Sequence, residues 1–442
     1  MIQQILAVTI GLADSMMVSS AGETAVAGVS LITSLDILLI TMFSALAGGG
    51  AIVTSQFIGQ GDLTLANKSA KQLVYVTTAV ALTITVTVLI IRVPLLELLF
   101  GDVEAEVMRN ALDYFFFLLL SFPFLAIFDS GSAVLRSMGK TGVAMLVSVT
   151  MNLLNVCGNA VFIFGFHLGA AGASLATLIS RIVGAAVMMV VVHNKNNPVH
   201  IERLFHYRPD GVLIKRILLL GIPSGLENSM FQFGKLLTQS LISTMGTAAI
   251  TANSVAHTLS TFQYMPGGAI NLAMETVVGQ CIGAREKKQA VKYSRILIGL
   301  TYAGIFIMCL LCVIFGPLVI KAYKVSPEAS DMAYKLILYH SAIAALIWPV
   351  SFTLPGSFRA ASDVRYPLII SALSMWIFRV GTSYFLALSS VSIFGLFTVP
   401  GAGLGVLGVW IAMTIDWLFR AILFVYRHFS GRWLMKYKEL TT

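Results

Sequence analysis

The sequence predicts an all-α membrane protein with about twelve transmembrane helices, in two six-helix lobes related by a pseudo-twofold axis along the membrane normal. The first observation is composition: of 442 residues, 57% are hydrophobic and only 11% are charged, too few charges to cover the surface of a soluble domain. The second is a series of apolar runs of about 20 residues or more, the length a helix needs to cross a bilayer core. The third is an internal repeat.

The apolar runs favour helices over a closed barrel. They are long and continuous, whereas barrel strands alternate lipid-facing and lumen-facing residues with a period of two. Gly, Pro and charged clusters separate the runs. The predicted spans are residues 1–19, 29–60, 68–92, 108–135, 141–165, 170–193, 214–245, 253–284, 290–321, 329–358, 365–390 and 404–428.

Similar residues recur in the two halves at a nearly constant spacing. Gly22 and Gly246 are 224 positions apart (246 − 22), and SQFIGQGD at residues 55–62 shares that register with GQCIGARE at residues 279–286. A longer loop near residues 390–403 extends the second half. Because six is an even number, both halves insert with the same orientation, and such parallel repeats place a substrate site between them near mid-membrane. This is the architecture of a transporter.

The basic residues predict the orientation and the domain boundaries. Most of the 29 Lys and Arg residues fall in six alternate short segments, whereas the opposite loops carry acids. Positive loops face the cytoplasm, so both termini are predicted to be cytoplasmic. The predicted domains are an N-lobe at 1–193, a cytoplasmic linker at 194–213, a C-lobe at 214–428 and a cytoplasmic tail at 429–442. The first helix lacks counterparts of Gly221 and Pro223, so we expect it to be truncated at its start.

Polar side chains in the first lobe form the candidate site for a coupling cation. Asp14 and Asp36 are predicted to lie about 8–10 Å below the outer face, and Asn152, Asn155 and Asn159 share one face of the fifth predicted span. Charge inside a membrane is costly and indicates function. These oxygens, with no obvious cation nearby, suit either a proton on a carboxylate of raised pKa or a bound Na⁺. The alternative is that these groups satisfy one another.

The second lobe has a different charge pattern, with as many basic as acidic residues inside its spans. Asp416 and Arg420 have the i, i+4 spacing of a helical ion pair. Glu227 and Glu275, with Asn152 of the first lobe, are candidate contacts for a cationic substrate. The charged side chains concerned are Glu227, Glu275, Asp416, Lys235, Arg379 and Arg420.

The sequence favours no cofactor and no metal centre. It contains no phosphate-binding loop, so transport is expected to use an ion gradient, H⁺ or Na⁺, rather than ATP. No catalytic motif is present, so an enzyme is not expected. The expected partners are the lipid bilayer and small cationic or amphipathic molecules, with no nucleic acid, and the chain is expected to be a monomer in the plasma membrane.

Five strings resemble the multidrug and toxic compound extrusion (MATE) family. They are GLADSMMVS (residues 11–19), SQFIGQGD (55–62), LRSMGKTG (135–142), NVCGNAVFIFG (155–165) and GIPSG (221–225). The resemblance covers essentially the whole chain. Overall, the sequence resembles the bacterial branch of the family that is related to DNA-damage-inducible protein F. It implies a twelve-helix antiporter that expels cationic amphipathic compounds in exchange for H⁺ or Na⁺.

The resemblance also assigns residues by position. Asp14 matches the first-helix acid that binds the coupling cation, and Asn155 matches a fifth-helix asparagine of that site. Asn159 departs from the pattern, because some members have an aspartate there. Glu227 is not at the place where another branch carries its seventh-helix glutamate. With one acid fewer, H⁺ is favoured over Na⁺.

The predicted function is therefore drug export by ion-coupled antiport. The alternative is a flippase or exporter of lipid-linked saccharides from the same superfamily, which would line its cavity with basic residues. A membrane enzyme would need convergent catalytic groups, and an assembly scaffold would not need Asp14 or the asparagine face.

Overall fold

The computed structural model describes residues 16–20, 22–101, 103–202, 208–393 and 397–437. Asp14 lies outside the described residues. Long helices account for almost all of the described chain. They are α1 (Glu23–Gln60), α2 (Leu63–Phe100), α3 (Ala105–Ser137), α4 (Thr141–Gly165), α5 (Gly169–His193), α6 (Gly211–Ser243), α7 (Thr247–Gly283), α8 (Lys287–Ala322), α9 (Pro327–Ala360), α10 (Arg365–Ala387) and α11 (Gly405–Phe429).

These helices correspond in order to the second to twelfth predicted spans. Within the described ranges, nine of them are long and apolar enough to cross a membrane, and α6 and α7 are not among the nine. The predicted starts are mostly a few residues late, because charged or polar first turns were assigned to loops. For α1 the difference is six residues (29 − 23). The helix begins directly after Gly22, whose φ of 105° lies outside the helical range.

The chain divides into two compact units, Met1–Gly225 and Leu226–Thr442. The division falls inside α6, further along the chain than the predicted start of the C-lobe at residue 214. A reason is visible in the first unit, where a Cβ at Gly49 would meet the backbone nitrogen of Gly221 at 2.6 Å. Only glycine allows α1 and the start of α6 to approach so closely. The first turns of α6 therefore pack with the first unit.

The linker residues described by the structure are held against the first unit. The Lys140 ammonium donates a hydrogen bond to the side-chain oxygen of Asn197 at 2.6 Å, and the His200 amide donates to Asn67 at 2.9 Å. The Gln72 side chain donates to the backbone oxygen of Arg208 at 2.7 Å. The polar sequence of the linker thus finds polar partners at the ends of α2, α3 and α4.

The second unit contains a core of packed aromatic rings. Tyr264 stacks on Trp348 with 5.8 Å between ring centroids, and Trp348 stacks on Phe352 at 5.0 Å. Phe352 and His340 both pack edge-on against Trp417. These contacts join α7, α9 and α11.

The long loop predicted near residues 390–403 contains a short hairpin. Strand β1 (Ser390–Ile393) pairs antiparallel with β2 (Phe397–Pro400), with Ser390 opposite Pro400. Predicted span 365–390 is therefore too long, because α10 ends at Ala387 and extended backbone follows.

Three of the described helices also contain π-helical stretches, at Ala160–Gly165, Pro349–Thr353 and Ser374–Gly381. Such stretches are frequent at functional sites.

Candidate functional site

The candidate cation site of the first unit contains a carboxylate–guanidinium pair. Oδ1 of Asp36, on α1, lies 3.8 Å from Nη2 of Arg181, on α5. Both side chains are mostly buried, with 19% and 10% of their surface exposed. Arg181 also donates a hydrogen bond to the Ser121 hydroxyl at 2.7 Å and lies over the Phe122 ring. Helices α1, α3 and α5 meet at this pair.

Two expectations about Asp36 are corrected here. The sequence showed no obvious cation near the acids, but Arg181 is that cation, brought close by packing between residues 145 positions apart (181 − 36). Asp36 was also expected about 10 Å from the end of its helix. It is the thirteenth residue after Glu23 (36 − 23), about 20 Å along the axis, because α1 begins earlier than predicted.

The asparagine face of α4 lies against the same helix, α5. The Asn155 side-chain amide donates to the Thr177 hydroxyl at 3.1 Å, and Thr177 is one helical turn before Arg181. Asn155 and Asn159 are buried, and Asn152 is half-buried. Asn155 contacts Thr177, and Asp36 lies close to Arg181. Asn155 and Asp36 therefore pack against neighbouring turns of α5. Asp14 lies outside the described residues, so its place in this cluster stays a prediction.

The cluster combines groups that suit proton transfer. Oδ1 of Asp36 accepts no hydrogen bond from any described residue, since Arg181 is beyond hydrogen-bonding distance. A half-buried carboxylate held by charge alone can take up a proton with little rearrangement of its surroundings. Among the described residues, no three His, Cys, Asp or Glu side chains are grouped as metal ligands.

Asp416 and Arg420 of α11 form an ion pair that is part of a larger network. Nε of Arg420 donates to Oδ1 of Asp416 at 2.8 Å, and Nη1 of Arg379, on α10, lies 3.6 Å from Oδ2. The Ser374 hydroxyl also donates to Asp416. The side chain of Asp416 has no exposed surface. One carboxylate thus holds two arginines on two helices.

The two candidate substrate glutamates of the second unit share one arginine. Nη2 of Arg359 lies 3.9 Å from Glu227, and Nη1 lies 3.6 Å from Glu275. The Ser371 hydroxyl donates to Glu227 at 2.8 Å, and the Asn271 amide donates to Glu275 at 3.4 Å. One guanidinium is therefore shared by two carboxylates. Whether Glu227 and Glu275 contact substrate stays a prediction.

Sequence reasoning missed several of these partners. Arg359 falls just after the predicted span 329–358 and was therefore placed in a loop, whereas its side chain is only 14% exposed. In the internal repeat it corresponds to Arg136, which lies 223 positions earlier (359 − 136). That correspondence does not indicate that Arg359 pairs with Glu227 and Glu275. Arg181 carried a signal, because a lone arginine inside an apolar helix implies a partner. Thr177 and Ser371 carried none, since serine and threonine are common in membrane helices.

A comparison with known protein families identifies the family of this chain. Residues 1–161 and 223–385 match the MatE family, which is most of both halves. The chain belongs to the MatE family. MatE proteins are transporters, so this chain is a multi-span membrane transporter of the multidrug efflux family and not an enzyme.

Related proteins support the MatE assignment over nearly the whole length. The chain is 29% identical to the uncharacterized transporter YisQ of Bacillus subtilis, over 96% of this chain and 91% of YisQ. It is 25% identical to the probable multidrug resistance protein NorM of Thermotoga maritima, over 98% of this chain and 90% of NorM. The crystal structure of MATE in the bent conformation superposes with a TM-score of 0.86 at 22% identity, over 98% of this chain and 94% of that one. The predicted all-α twelve-helix fold is thereby confirmed.

Proposed function

We propose that this MatE transporter is a secondary active antiporter that exports cationic amphipathic drugs or toxic compounds in exchange for H⁺. The observation that carries the proposal is the half-buried carboxylate of Asp36, held by charge to Arg181 and joined through α5 to Asn155. A transporter of this family needs an ion to drive export. A single carboxylate can carry a proton, whereas Na⁺ requires several oxygen ligands at once.

The coupling follows from the charge on the carboxylates. Ionised, Asp14 and Asp36 attract a cationic substrate and, in the case of Asp36, the Arg181 guanidinium. Protonation removes that attraction, so the cation is released and α1 and α5 are free to move relative to each other. Because proton and substrate compete for the same charge, acidification outside lowers the affinity for substrate on that side. Dye export under imposed pH and Na⁺ gradients tests this coupling.

A second candidate is a flippase or exporter of lipid-linked saccharides, which needs basic residues to hold a pyrophosphate. The cations Lys235, Arg379 and Arg420 of the second unit favour it. The acids of the first unit favour the export of cations. Reconstituted protein that exports cationic dyes but does not translocate a fluorescent lipid-linked pyrophosphate would decide for the antiporter.

In the same proposal the protein is a monomer of the plasma membrane with both termini in the cytoplasm. The distribution of basic residues supports this orientation. In a background without native cysteines, we expect Lys195→Cys to be labelled by a membrane-impermeant maleimide only after the cytoplasmic side is opened. Residue 195 is suited to this test because its side chain is 76% exposed.

The matched control is Glu328→Cys, at the exposed start of α9. Glu328 follows one of the acid-bearing loops, so this cysteine is expected to react from outside intact cells. The orientation is overturned by the reverse pattern, with residue 195 labelled from outside.

A further inference from the structure

In the second unit, three cationic side chains surround one aromatic ring. The ring of Phe231, on α6, has the Lys235 ammonium at 5.1 Å, the Arg379 guanidinium at 5.2 Å and the Arg420 guanidinium at 5.4 Å from its centroid. These residues come from α6, α10 and α11. We refer to Phe231, Lys235, Arg379 and Arg420 as the basic cluster.

The basic cluster contains more positive charge than its carboxylate balances. Asp416 accepts from Arg420 and Ser374 and lies 3.6 Å from Arg379. The Lys235 ammonium makes no ion pair or hydrogen bond with any described residue and lies over the Phe231 ring. Nη1 of Arg379 is buried and donates no hydrogen bond within the described part of the chain. Two cations therefore have unused donors.

The other carboxylates of the second unit with mostly buried side chains, among the described residues, are already paired. Glu227 and Glu275 are held by Arg359, and Asp363 accepts from Arg427 at 2.8 Å. They are thus engaged elsewhere in the second unit. An aromatic face attracts a cation but has no net charge to neutralise it. Charges inside a membrane protein are stable only when they are paired or solvated.

We propose that the basic cluster binds an oxyanionic group, a carboxylate or phosphate, of an amphipathic molecule. Lys235 and Arg379 supply the charge and the free N–H donors for its oxygens. Phe231 and Phe352, whose rings lie edge to face 5.9 Å apart, supply an apolar surface for the rest of the molecule. The inference rests on the proposed transport function and extends its substrates to amphipathic molecules that carry an oxyanionic group.

The test uses two dyes that differ in one anionic group, a rhodamine with a free carboxylate and the same rhodamine as its ethyl ester. Binding of each dye to the full-length protein in neutral-lipid nanodiscs is measured by fluorescence anisotropy, so that the result does not depend on transport. Lys235→Met removes the charge but keeps an unbranched apolar side chain. We expect it to weaken binding of the carboxylate dye about tenfold or more, and binding of the ester less than twofold.

Two further variants control for charge and for folding. Lys235→Arg keeps the charge and is expected to retain selectivity for the carboxylate dye. Lys321→Met removes a lysine from the exposed end of α8 and is expected to change neither affinity. Thermal unfolding of each variant in the same nanodiscs confirms that it is folded.

The outcomes separate this inference from the proposed function. Equal loss of both dyes in Lys235→Met, or no binding of the carboxylate dye by the wild type, overturns the basic cluster as an anion site. Absence of dye transport with selective binding intact overturns the antiporter instead. Repeating the measurement with acidic lipid in the nanodiscs distinguishes the sources of the oxyanion, because a lipid phosphate would compete with the carboxylate dye.

Discussion

Replacing Asp416 with asparagine is expected to lower the free energy of unfolding by about 3–5 kcal/mol. The side chain has no exposed surface, and it is the carboxylate that pairs with both Arg420 and Arg379. Asparagine has nearly the same shape but no charge, so it leaves two buried guanidinium groups without their counter-ion. Equilibrium denaturation in mixed micelles, followed by tryptophan fluorescence, measures the loss.

The matched control is Asp331→Asn. Asp331 pairs with Lys335 at 2.6 Å, also at i, i+4, but the two side chains are 65% and 71% exposed. Exposed pairs contribute about 0–1 kcal/mol, so this variant is expected to unfold almost like the wild type. Equal destabilisation by the two substitutions would contradict the account, because it would mean that burial of the Asp416 network adds nothing.

Replacing Asp14 with asparagine is expected to abolish export while leaving membrane insertion and folding intact. The sequence places this carboxylate in an otherwise apolar first span, and the MATE resemblance matches it to the acid that binds the coupling cation. Asparagine keeps an oxygen and the side-chain size but can neither carry the proton nor supply the negative charge. Efflux of a cationic dye from cells, with the amount of protein in the membrane measured in parallel, tests the expectation.

Asp113→Asn provides the comparison for that experiment. Asp113 lies on α3 and is exposed, so loss of its charge is expected to leave efflux near the wild-type rate. Export by Asp14→Asn at the wild-type rate would show that the coupling carboxylate is elsewhere, and Asp36 would then be the remaining acid of the predicted cluster.

Local sequence patterns predicted the helices and the ion pair Asp416–Arg420, whose two residues lie on the same helix. Apolar runs identify spans because lipid requires them, and the Asp416–Arg420 pair follows from helical spacing alone. The helix starts were less accurate, since α1 begins at Glu23 and a charged first residue resembles a loop. The hairpin after α10 was expected only as a longer loop.

Contacts between distant segments could not be predicted in the same way. Asp36 and Arg181 both fall inside predicted spans, but their pairing depends on how α1 and α5 pack. Arg359 was taken for a loop residue because it stands near the end of its helix. The basic cluster depends on α6, α10 and α11 meeting at Phe231, and a phenylalanine in an apolar helix carries no signal of that role.

The most direct test of the central claim is export by purified protein in proteoliposomes preloaded with ethidium. We predict that acidification outside drives ethidium out, that a protonophore stops this export, and that an inward Na⁺ gradient at constant pH drives none. Export that continues with the pH gradient collapsed and follows the imposed Na⁺ gradient would contradict proton coupling.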